Sequence, residues 1–396
     1  MKILLRITIF LIFLSLLAGI IAYARGYRLD LKNQNLTSTG IVAVSAFPKA
    51  SKVFVNGELK GVSDINLTLP PGSYEIEVKK DGYTSWKKSV RLKGELVLSL
   101  DALLYPLNPS LSPLTNISIV KAEPIPHSNK LILFSENEDE TKDGIYLFEE
   151  SPTLAPFFSP LKLIALKKNL VPKLGQFTLL DTEVEISPDA KEGLFTFSNS
   201  TGTFSYLLSL DEENLSFFDI TNSRETLTEA WNRQIEEVNL KILEAFPDEI
   251  NKVASDSFQV IEFSPDETKL LYKARQNTEI PQAVKPLIAT NQTPEVRNIK
   301  TDSLYVYDKK EDRNYKIDAA TNLIPISWYS DSKHLVMNEG KKISFLDFDN
   351  QNKRTVYSGI FDGNFFKVSS DGKILLLINL NPENNRFPDL YAVGIR

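Results

Sequence analysis

A short pattern recurs along the last three quarters of the chain and limits what that part can fold into. Each copy has an apolar residue, a Ser-x-Asp turn or a variant of it, a short apolar strand, and a second strand rich in Tyr, Leu and Val. The clearest copy is 263–272 followed by 304–308. Ser and Asp side chains bond to nearby backbone in turns, and Pro fixes φ there. The pattern therefore predicts a hairpin in each copy.

Four further copies follow the same order of residues. They are 186–189 with 206–210, 328–337 with 343–347, 368–377 with 390–393, and a degenerate first copy, 126–134 with 145–148. The turn aspartates Asp331 and Asp371 are 40 residues apart. That spacing suits a propeller blade of about 40–45 residues, and the longer gaps between other copies require insertions.

The repeats resemble a known family. Phe263-Ser264-Pro265-Asp266, a short strand and then Tyr305-Val306-Tyr307-Asp308 is similar to the repeats of TolB-type propellers and, more distantly, of WD-repeat proteins. The resemblance implies a mainly β fold in which residues 113–396 form a TolB/WD-like β-propeller of five to seven blades.

A second constraint lies at the N-terminus, where Ile7 to Ala24 are 18 consecutive uncharged, mostly apolar residues between basic flanks. Eighteen helical residues span about 27 Å, close to the roughly 30 Å of a bilayer core. We expect residues 1–32 to be a membrane anchor and juxtamembrane segment, with the membrane contacted through residues 7–24. The alternative is a signal peptide cleaved near Ala22-Tyr23-Ala24, although the apolar run exceeds the usual 7–15 residues.

The distribution of charge indicates where the rest of the chain is located. The formal net charge of −6 combines +4 on residues 1–32 with −10 on the remainder. A net-acidic remainder argues against nucleic-acid binding and against a grip on anionic lipid headgroups. A short basic N-terminus before a long folded part predicts a single-pass protein whose C-terminal domains are extracytoplasmic.

Residues 40–104 read as short strands separated by tight turns, which is typical of a small β-sandwich. Asn56-Gly57 is a strong hairpin signal, because a type I′ turn needs positive φ at both central residues. Together with 69–74, Gly82-Tyr83 and Trp86, the segment 53–57 resembles the PEGA domain. The tetrapeptide that names that family is not kept, since 48–51 retains only its proline. The resemblance implies a surface-associated, non-catalytic β-module.

The whole chain is similar to bacterial PEGA-domain surface proteins, which implies architecture and location rather than an activity. Two insertions interrupt the repeats. Residues 226–246 carry apolar residues at helical spacing, with a capping box at Thr226 and Glu229 and Pro247 as the stop. We expect a helix packed on the propeller; the alternative is a helix that docks a partner. Residues 276–301 predict a long loop over one face.

The usual catalytic motifs are missing. The chain has no cysteine and two histidines, which excludes disulfides, thiol catalysis and cysteine-ligated zinc. His127 and His334 fall at turn positions, so we expect both to face solvent; a metal site using both requires their turns to meet. The acidic stretches 136–140 and 347–350 predict solvated loops, and calcium binding is the alternative. No catalytic, cofactor-binding or metal-ligating residue is therefore predicted, and no cofactor.

These observations favour a membrane-anchored extracytoplasmic binding or scaffold protein and not an enzyme. Its propeller would engage an envelope protein, a polysaccharide or the cell wall. The alternative is an extracytoplasmic carboxylate-dependent hydrolase, similar to a glycosidase, because that chemistry needs only two carboxylates about 5–10 Å apart. With 51 acidic residues, the sequence does not point to a pair.

Overall fold

The computed structural model describes residues 2–24, 27–30, 35–150, 160–174, 176–200, 202–283, 291–318, 325–383 and 385–395. These residues divide into two compact units. The first holds the described residues up to Asn108 together with the later segment 291–295. The second holds Pro109–Ala283 and Val296–Ile395.

The first unit begins with an apolar helix, α1 (Lys2–Ala24). Its window Arg6–Tyr23 has a mean hydropathy of 2.2 and no buried residue. A helix of this length and composition can cross a membrane or serve as a signal sequence. The hairpin of β1 (Tyr27–Asp30) and β2 (Asn35–Ser38) follows; it lies outside the strands predicted above.

The described residues 40–103 form a three-stranded and a four-stranded sheet, in the orders β6-β3-β9 and β5-β4-β7-β8. The apolar faces of the two sheets share one core, to which Val44, Val53, Ile76 and Trp86 contribute. Asn56 and Gly57 have φ of 49° and 83°, as the type I′ turn requires. The strands are β3 (Gly40–Phe47), β4 (Lys52–Val55), β5 (Glu58–Val62), β6 (Ile65–Leu69), β7 (Gly72–Lys79), β8 (Trp86–Leu92) and β9 (Val97–Leu103).

In the described part of the second unit, five four-stranded antiparallel sheets follow one another, and each contains one copy of the repeat. We name them sheets I to V. After β10 (Ser110–Pro113), sheet I has β11 (Ile119–Pro124), β12 (Lys130–Ser135), β13 (Gly144–Glu149) and β14 (Leu161–Leu166). Sheet II has β15 (Glu183–Ile186), β16 (Glu192–Asn199), β17 (Gly202–Ser209) and β18 (Phe218–Asp219).

Sheet III has β19 (Phe258–Phe263), β20 (Lys269–Ala274), β23 (Leu304–Asp308) and β24 (Arg313–Ile317). The short ladder of β21 (Thr278–Glu279) and β22 (Asn298–Ile299) lies between its middle strands in the chain. Sheet IV has β25 (Ile326–Trp328), β26 (His334–Asn338), β27 (Lys342–Asp347) and β28 (Arg354–Ser358). Sheet V has β29 (Lys367–Val368), β30 (Ile374–Ile378), β31 (Asp389–Gly394) and, as its fourth strand, β10.

The repeated turn joins the first two strands of each sheet. In three sheets the serine hydroxyl donates to the aspartate two residues later, as in Ser187 to Asp189 at 2.7 Å and Ser264 to Asp266 at 2.8 Å. The serine N–H also bonds to a carbonyl across the turn. The residue after the aspartate has a positive φ in sheets II to V: Ala190, Glu267, Ser332 and Gly372. The turn therefore has a fixed left-handed position that the side-chain bonds support.

Sheet V joins the two ends of the second unit. Strand β10 pairs antiparallel with β31, with Leu111 opposite Val393. Beside this pairing, Asp389 Oδ1 accepts hydrogen bonds from the N–H of Ile117 at 2.7 Å and from that of Ser118 at 3.2 Å. Residues more than 270 positions apart in the chain are thus held in one sheet.

Neighbouring sheets are joined by polar contacts in the order II–I–V–IV–III. The donors and acceptors are Lys121 Nζ to Thr182 O at 2.6 Å, Lys367 Nζ to Lys130 O at 2.8 Å, Tyr329 OH to Gly372 O at 3.0 Å, and Trp328 Nε1 to Glu262 O at 3.2 Å. Apolar clusters span the same junctions between sheets I and II, V and I, and III and IV.

Helices bridge sheets II and III. After α2 (Lys167–Leu174), these are α3 (Arg224–Glu244) and α4 (Asp248–Ser257). Arg224 Nη2 lies 2.9 Å from Glu183 Oε2 of sheet II, and Ile250 packs in the core of sheet III. The predicted helix is present, but the prediction of a capping box at Thr226 and Glu229 is wrong. A 3₁₀ turn at Thr221–Ser223 leads straight into α3, so Thr226 is already inside the helix, and Pro247 precedes α4.

The predicted loop 276–301 is only partly irregular. It contains β21 and β22, and its residue Asn291 bridges to Val90 within the first unit. In the second unit, the buried Asp312 accepts hydrogen bonds from the Ala283 N–H and the Tyr307 hydroxyl, both at 2.8 Å. The stretch 284–290 lies outside the described residues.

The left-handed turn position gives a direct stability test. Replacing Gly372 by Val should lower the free energy of unfolding by roughly 1–2 kcal/mol, because a β-branched residue is strained at a φ of 84°. Replacing Ala190 by Gly at the equivalent position should leave stability unchanged or raise it. Urea denaturation of both variants checks this; equal effects of the two changes would contradict the assigned turn.

Candidate binding site

A cavity of about 1240 Å³ lies where the first strands of four sheets come together. Residues of β11, β19, β25 and β29 line it, along with the turns that follow β11 and β19 and part of α3. Typical ligand pockets are about 300–1,000 Å³, so this cavity is large enough for an extended ligand. It is the candidate functional site.

Two lysines are among the described residues that line the cavity, and both ammonium groups are bound by other groups of the protein. Lys121 Nζ donates to Thr182 O at 2.6 Å and lies 3.0 Å from Glu123 Oε1. Lys367 Nζ donates to Ile125 O at 3.3 Å and to Lys130 O at 2.8 Å. Burial lowers the pKa of Lys367 to about 8. These lysines therefore join sheet I to its two neighbours rather than presenting charge to a ligand.

Four carboxylates border the same cavity: Glu123, Glu262, Glu267 and Asp362. Glu262 Oε2 accepts hydrogen bonds from the Trp328 N–H at 3.0 Å and the Ser327 hydroxyl at 2.9 Å. Burial raises the pKa of Glu262, and these two bonds oppose that shift. Glu267 is exposed at the left-handed turn position of sheet III. Carboxylates thus outnumber ammonium groups along the cavity wall.

Apolar side chains complete the wall, and several stay exposed. Leu180, Ile235 of α3 and Ile261 of β19 all line the cavity, with exposed fractions of 53%, 42% and 40%. Within α3, which is described throughout, only Trp231 is buried. Ile242 packs partly against the core of sheet III. The helix is therefore packed at part of its apolar face, while the middle of that face is open at the cavity.

The two histidines lie in different environments. His127 is exposed in the turn of sheet I and lines the cavity. His334 was expected in solvent, and that prediction is wrong, since its side chain is buried at the start of β26. Its Nδ1 lies 2.7 Å from Asp331 Oδ2, and its Nε2 lies 3.3 Å from Asp347 Oδ1. Burial disfavours the charged ring, but the two carboxylates outweigh it and raise the pKa of His334 to about 9.

The physical reason for this burial lies in the repeat. Lys269 occupies the matching position in sheet III, is also buried, and pairs in register with Asp308, as His334 pairs with Asp347. The first residue after the turn therefore carries a cation beneath the turn, opposite an aspartate that ends the next strand. The spacing of these charges was visible in the sequence and could have identified the pairs.

Of the two acidic stretches predicted to be solvated loops, 136–140 is a largely exposed loop between β12 and β13, as predicted, whereas 347–350 has buried acidic side chains. Glu136 Oε1 accepts hydrogen bonds from Lys167 Nζ at 2.9 Å and the Leu179 N–H at 2.7 Å, so it orders the chain after sheet I. Asp347 and Asp349 are buried. Within the described ranges, no group of three or more His, Asp or Glu side chains is arranged to hold a metal ion.

The sequence did not single out the charged residues of the first strands. Lys121, Glu123, Glu262 and Lys367 each stand in or beside an otherwise apolar first strand. The available signal was a charge in the first strand of four of the five sheets, all but sheet IV, because the first strands of sheets I, III, IV and V line the cavity.

The His334 pair generates a pH-dependence prediction. The pKa of His334 is higher in the folded chain than its ordinary 6.5, so its stabilisation is complete below about pH 6.5 and is lost as pH rises through about 9. His334→Gln should lower the free energy of unfolding by roughly 3 kcal/mol at pH 6, with a smaller difference at pH 9.5. Denaturation at both pH values tests this, with His127→Gln as the control. A pH-independent difference would contradict the ion pair.

Comparisons with known proteins agree with part of this description. Solved structures with similarity include an auxiliary nutrient binding protein from Bacteroides ovatus ATCC 8483, at 8% identity and a TM-score of 0.29, covering 91% of this chain and 98% of that one. A putative TolB from Agrobacterium tumefaciens is similar at 10% identity and a TM-score of 0.19, covering 88% of this chain and 99% of that one. An acylaminoacyl peptidase from Pyrococcus horikoshii is similar at 13% identity and a TM-score of 0.21, covering 67% of this chain and 38% of that one.

These TM-scores are all low, and no fold or function is assigned from them. A search of curated proteins gives no significant match. The PEGA domain model matches residues 39–108, which include the two sheets of the first unit and the Asn56-Gly57 turn. Residues 39–108 of this chain are a PEGA domain.

Proposed function

We propose that this chain is a membrane-anchored extracytoplasmic binding protein whose ligand site is the cavity of the second unit. The single observation that carries the proposal is the convergence of four first strands on a cavity of about 1240 Å³ with polar, charged and apolar walls. Pockets of mixed lining at the meeting point of several elements are the usual sites of ligands. The partner class is an envelope protein, a polysaccharide or the cell wall.

Sheets I to V are, in this proposal, the blades of a five-bladed β-propeller. Three observations support it: each sheet holds one sequence repeat, neighbouring sheets touch in the order II–I–V–IV–III, and α3 with α4 bridges II and III. The last blade combines β10, the first strand of the unit, with the final strands of the unit. Such a pairing of the two ends closes the ring of a propeller. The cavity is then the central channel of the propeller.

Helix α1 is the anchor in this proposal, and the PEGA domain is a spacer that follows it in the chain. Its support is the apolar window Arg6–Tyr23, which has no buried residue. The net charge of −10 on the rest of the chain suits a domain that does not adhere to anionic headgroups.

Removing residues 1–32 tests the anchor. The full chain should sediment with membranes and resist carbonate extraction, whereas the shortened chain should be soluble. Protease added outside intact cells should digest the C-terminal part of the full chain. A shortened chain that stays with the membrane, or a C-terminal part that is protected outside, contradicts the anchored topology.

Blocking the cavity tests the binding site. Ser370 is exposed and lines the cavity, and Ser216 is exposed elsewhere in the second unit. The chain without residues 1–32 should bind at least one component on an array of envelope polysaccharides, peptidoglycan fragments and purified envelope proteins. Ser370→Trp should weaken that binding at least 10-fold, and Ser216→Trp should leave it unchanged. Equal binding by both variants, or no bound component, contradicts the proposal.

A hydrolase that uses carboxylates is the alternative function. One observation favours it: Glu262 borders the cavity with Glu123, and its buried carboxyl has a raised pKa, a property of general acids. Under this alternative, the array ligand would be cleaved, and Glu262→Gln would abolish turnover while binding persisted. Binding without turnover favours the binding protein.

A further inference from the structure

The wall of the cavity specifies the kind of ligand more narrowly than the proposed function does, and this inference rests on that function. The described cavity residues carry four carboxylates and two ammonium groups. Both ammonium groups donate to backbone carbonyls of the protein, at 2.6–3.3 Å. A ligand that enters the cavity therefore meets a net negative surface.

The same cavity presents exposed aliphatic side chains from three different parts of the fold. Leu180 precedes sheet II, Ile235 lies on α3, and Ile261 lies on β19 of sheet III. Exposed large aliphatic residues that converge on one concavity mark an interaction site rather than scattered surface apolarity. On α3 the residues Ile235, Asn239 and Ile242 follow one another at helical spacing along the cavity, so one helix face borders it.

We propose that the cavity binds an extended peptide segment that carries both aliphatic and basic side chains, from a partner protein. The aliphatic side chains lie against Leu180, Ile235 and Ile261. The basic side chains lie toward Glu267 and Asp362, where Asp362 is oriented by hydrogen bonds from Asn364. A polysaccharide without positive charge uses neither feature fully.

The charge pattern of α3 and α4 supports this choice of occupant. The first turn of α4 carries Asp248 and Glu249, and α3 carries an excess of acidic residues over basic ones. The approach to the cavity past these helices therefore attracts a basic segment and repels an acidic one. Salt should weaken such binding, because exposed charges are screened over about 10 Å at 0.1 M.

Three labelled nine-residue peptides test the proposal by fluorescence anisotropy with the chain lacking residues 1–32. They alternate lysine with leucine, glutamate with leucine, and lysine with serine. The lysine–leucine peptide should bind at least 10-fold more tightly than either of the others, and its affinity should fall as salt rises from 50 to 300 mM. Tighter binding of the glutamate–leucine peptide, or equal binding of all three, overturns the proposal.

Matched variants locate the bound peptide. Ile235→Gln should weaken binding of the lysine–leucine peptide at least 5-fold. Leu240→Gln, on the same helix but outside the cavity, should leave that binding unchanged. Glu267→Gln should weaken binding of this peptide similarly, and Glu213→Gln, at an exposed position of sheet II outside the cavity, should not. Circular dichroism confirms that the variants fold. Equal losses in test and control variants would show binding to the general acidic surface and overturn the proposal.

The outcome separates this inference from the proposed function. Suppose that an array component binds the chain but not its Ser370→Trp variant, and that the lysine–leucine peptide does not bind. The cavity is then a ligand site, and the peptide assignment is wrong. If the peptide binds and Ser370→Trp abolishes its binding, both stand. If neither binds in the cavity, both fail.

Discussion

The pairing of β10 with β31 is the contact on which the second unit depends. Four residues from the start of the unit complete a sheet whose other strands come from its end. Asp389 strengthens the junction by accepting hydrogen bonds from the N–H groups of Ile117 and Ser118. Because this contact joins residues separated by almost the whole unit, it forms only after a long loop is closed, at an entropic cost. The cavity exists only if the first strands that it gathers are kept in place.

A buried ion pair adds a second source of order inside sheet IV, where His334 lies 2.7 Å from Asp331 Oδ2 and 3.3 Å from Asp347 Oδ1. Lys269 holds the matching position in sheet III, opposite Asp308 in the strand register. Breaking one partner of such a pair costs more than the pair itself contributes, because a lone buried charge remains. Neither His334 nor Lys269 lines the cavity, although residues of the repeated turns above them do.

Local patterns allowed much of the fold to be predicted. The type I′ turn at Asn56-Gly57 and the five repeat turns, three of which are Ser-x-Asp, depend on neighbouring residues alone, and each is found in the expected place. The burial of His334 could not be read from a single turn, because it depends on Asp347 in the next strand. The predicted start of α3 at Thr226 was wrong because a 3₁₀ turn at Thr221–Ser223 runs directly into the helix, which begins at Arg224.

The candidate site was harder to predict for the same reason. Its residues come from strands that begin between about 40 and 250 positions apart in the chain, and only the packing of the sheets brings Lys121, Glu262 and Lys367 to one cavity. The charges in these strands do not form a recognised binding motif. The exposed face of α3 was similarly ambiguous. Its helical spacing predicted an apolar face, but not that the middle of this face would remain unpacked at a cavity.

Hydrogen exchange of the second unit tests the central claim most directly, which is that sheets I to V form one closed ring around a binding cavity. A Ser112→Pro variant removes one backbone donor from β10 within its pairing to β31. A closed ring predicts faster exchange not only in β31 but also in β11 and β29, the first strands of the two sheets that meet there. Faster exchange confined to β10 and β31, with the neighbouring first strands unchanged, would contradict the ring.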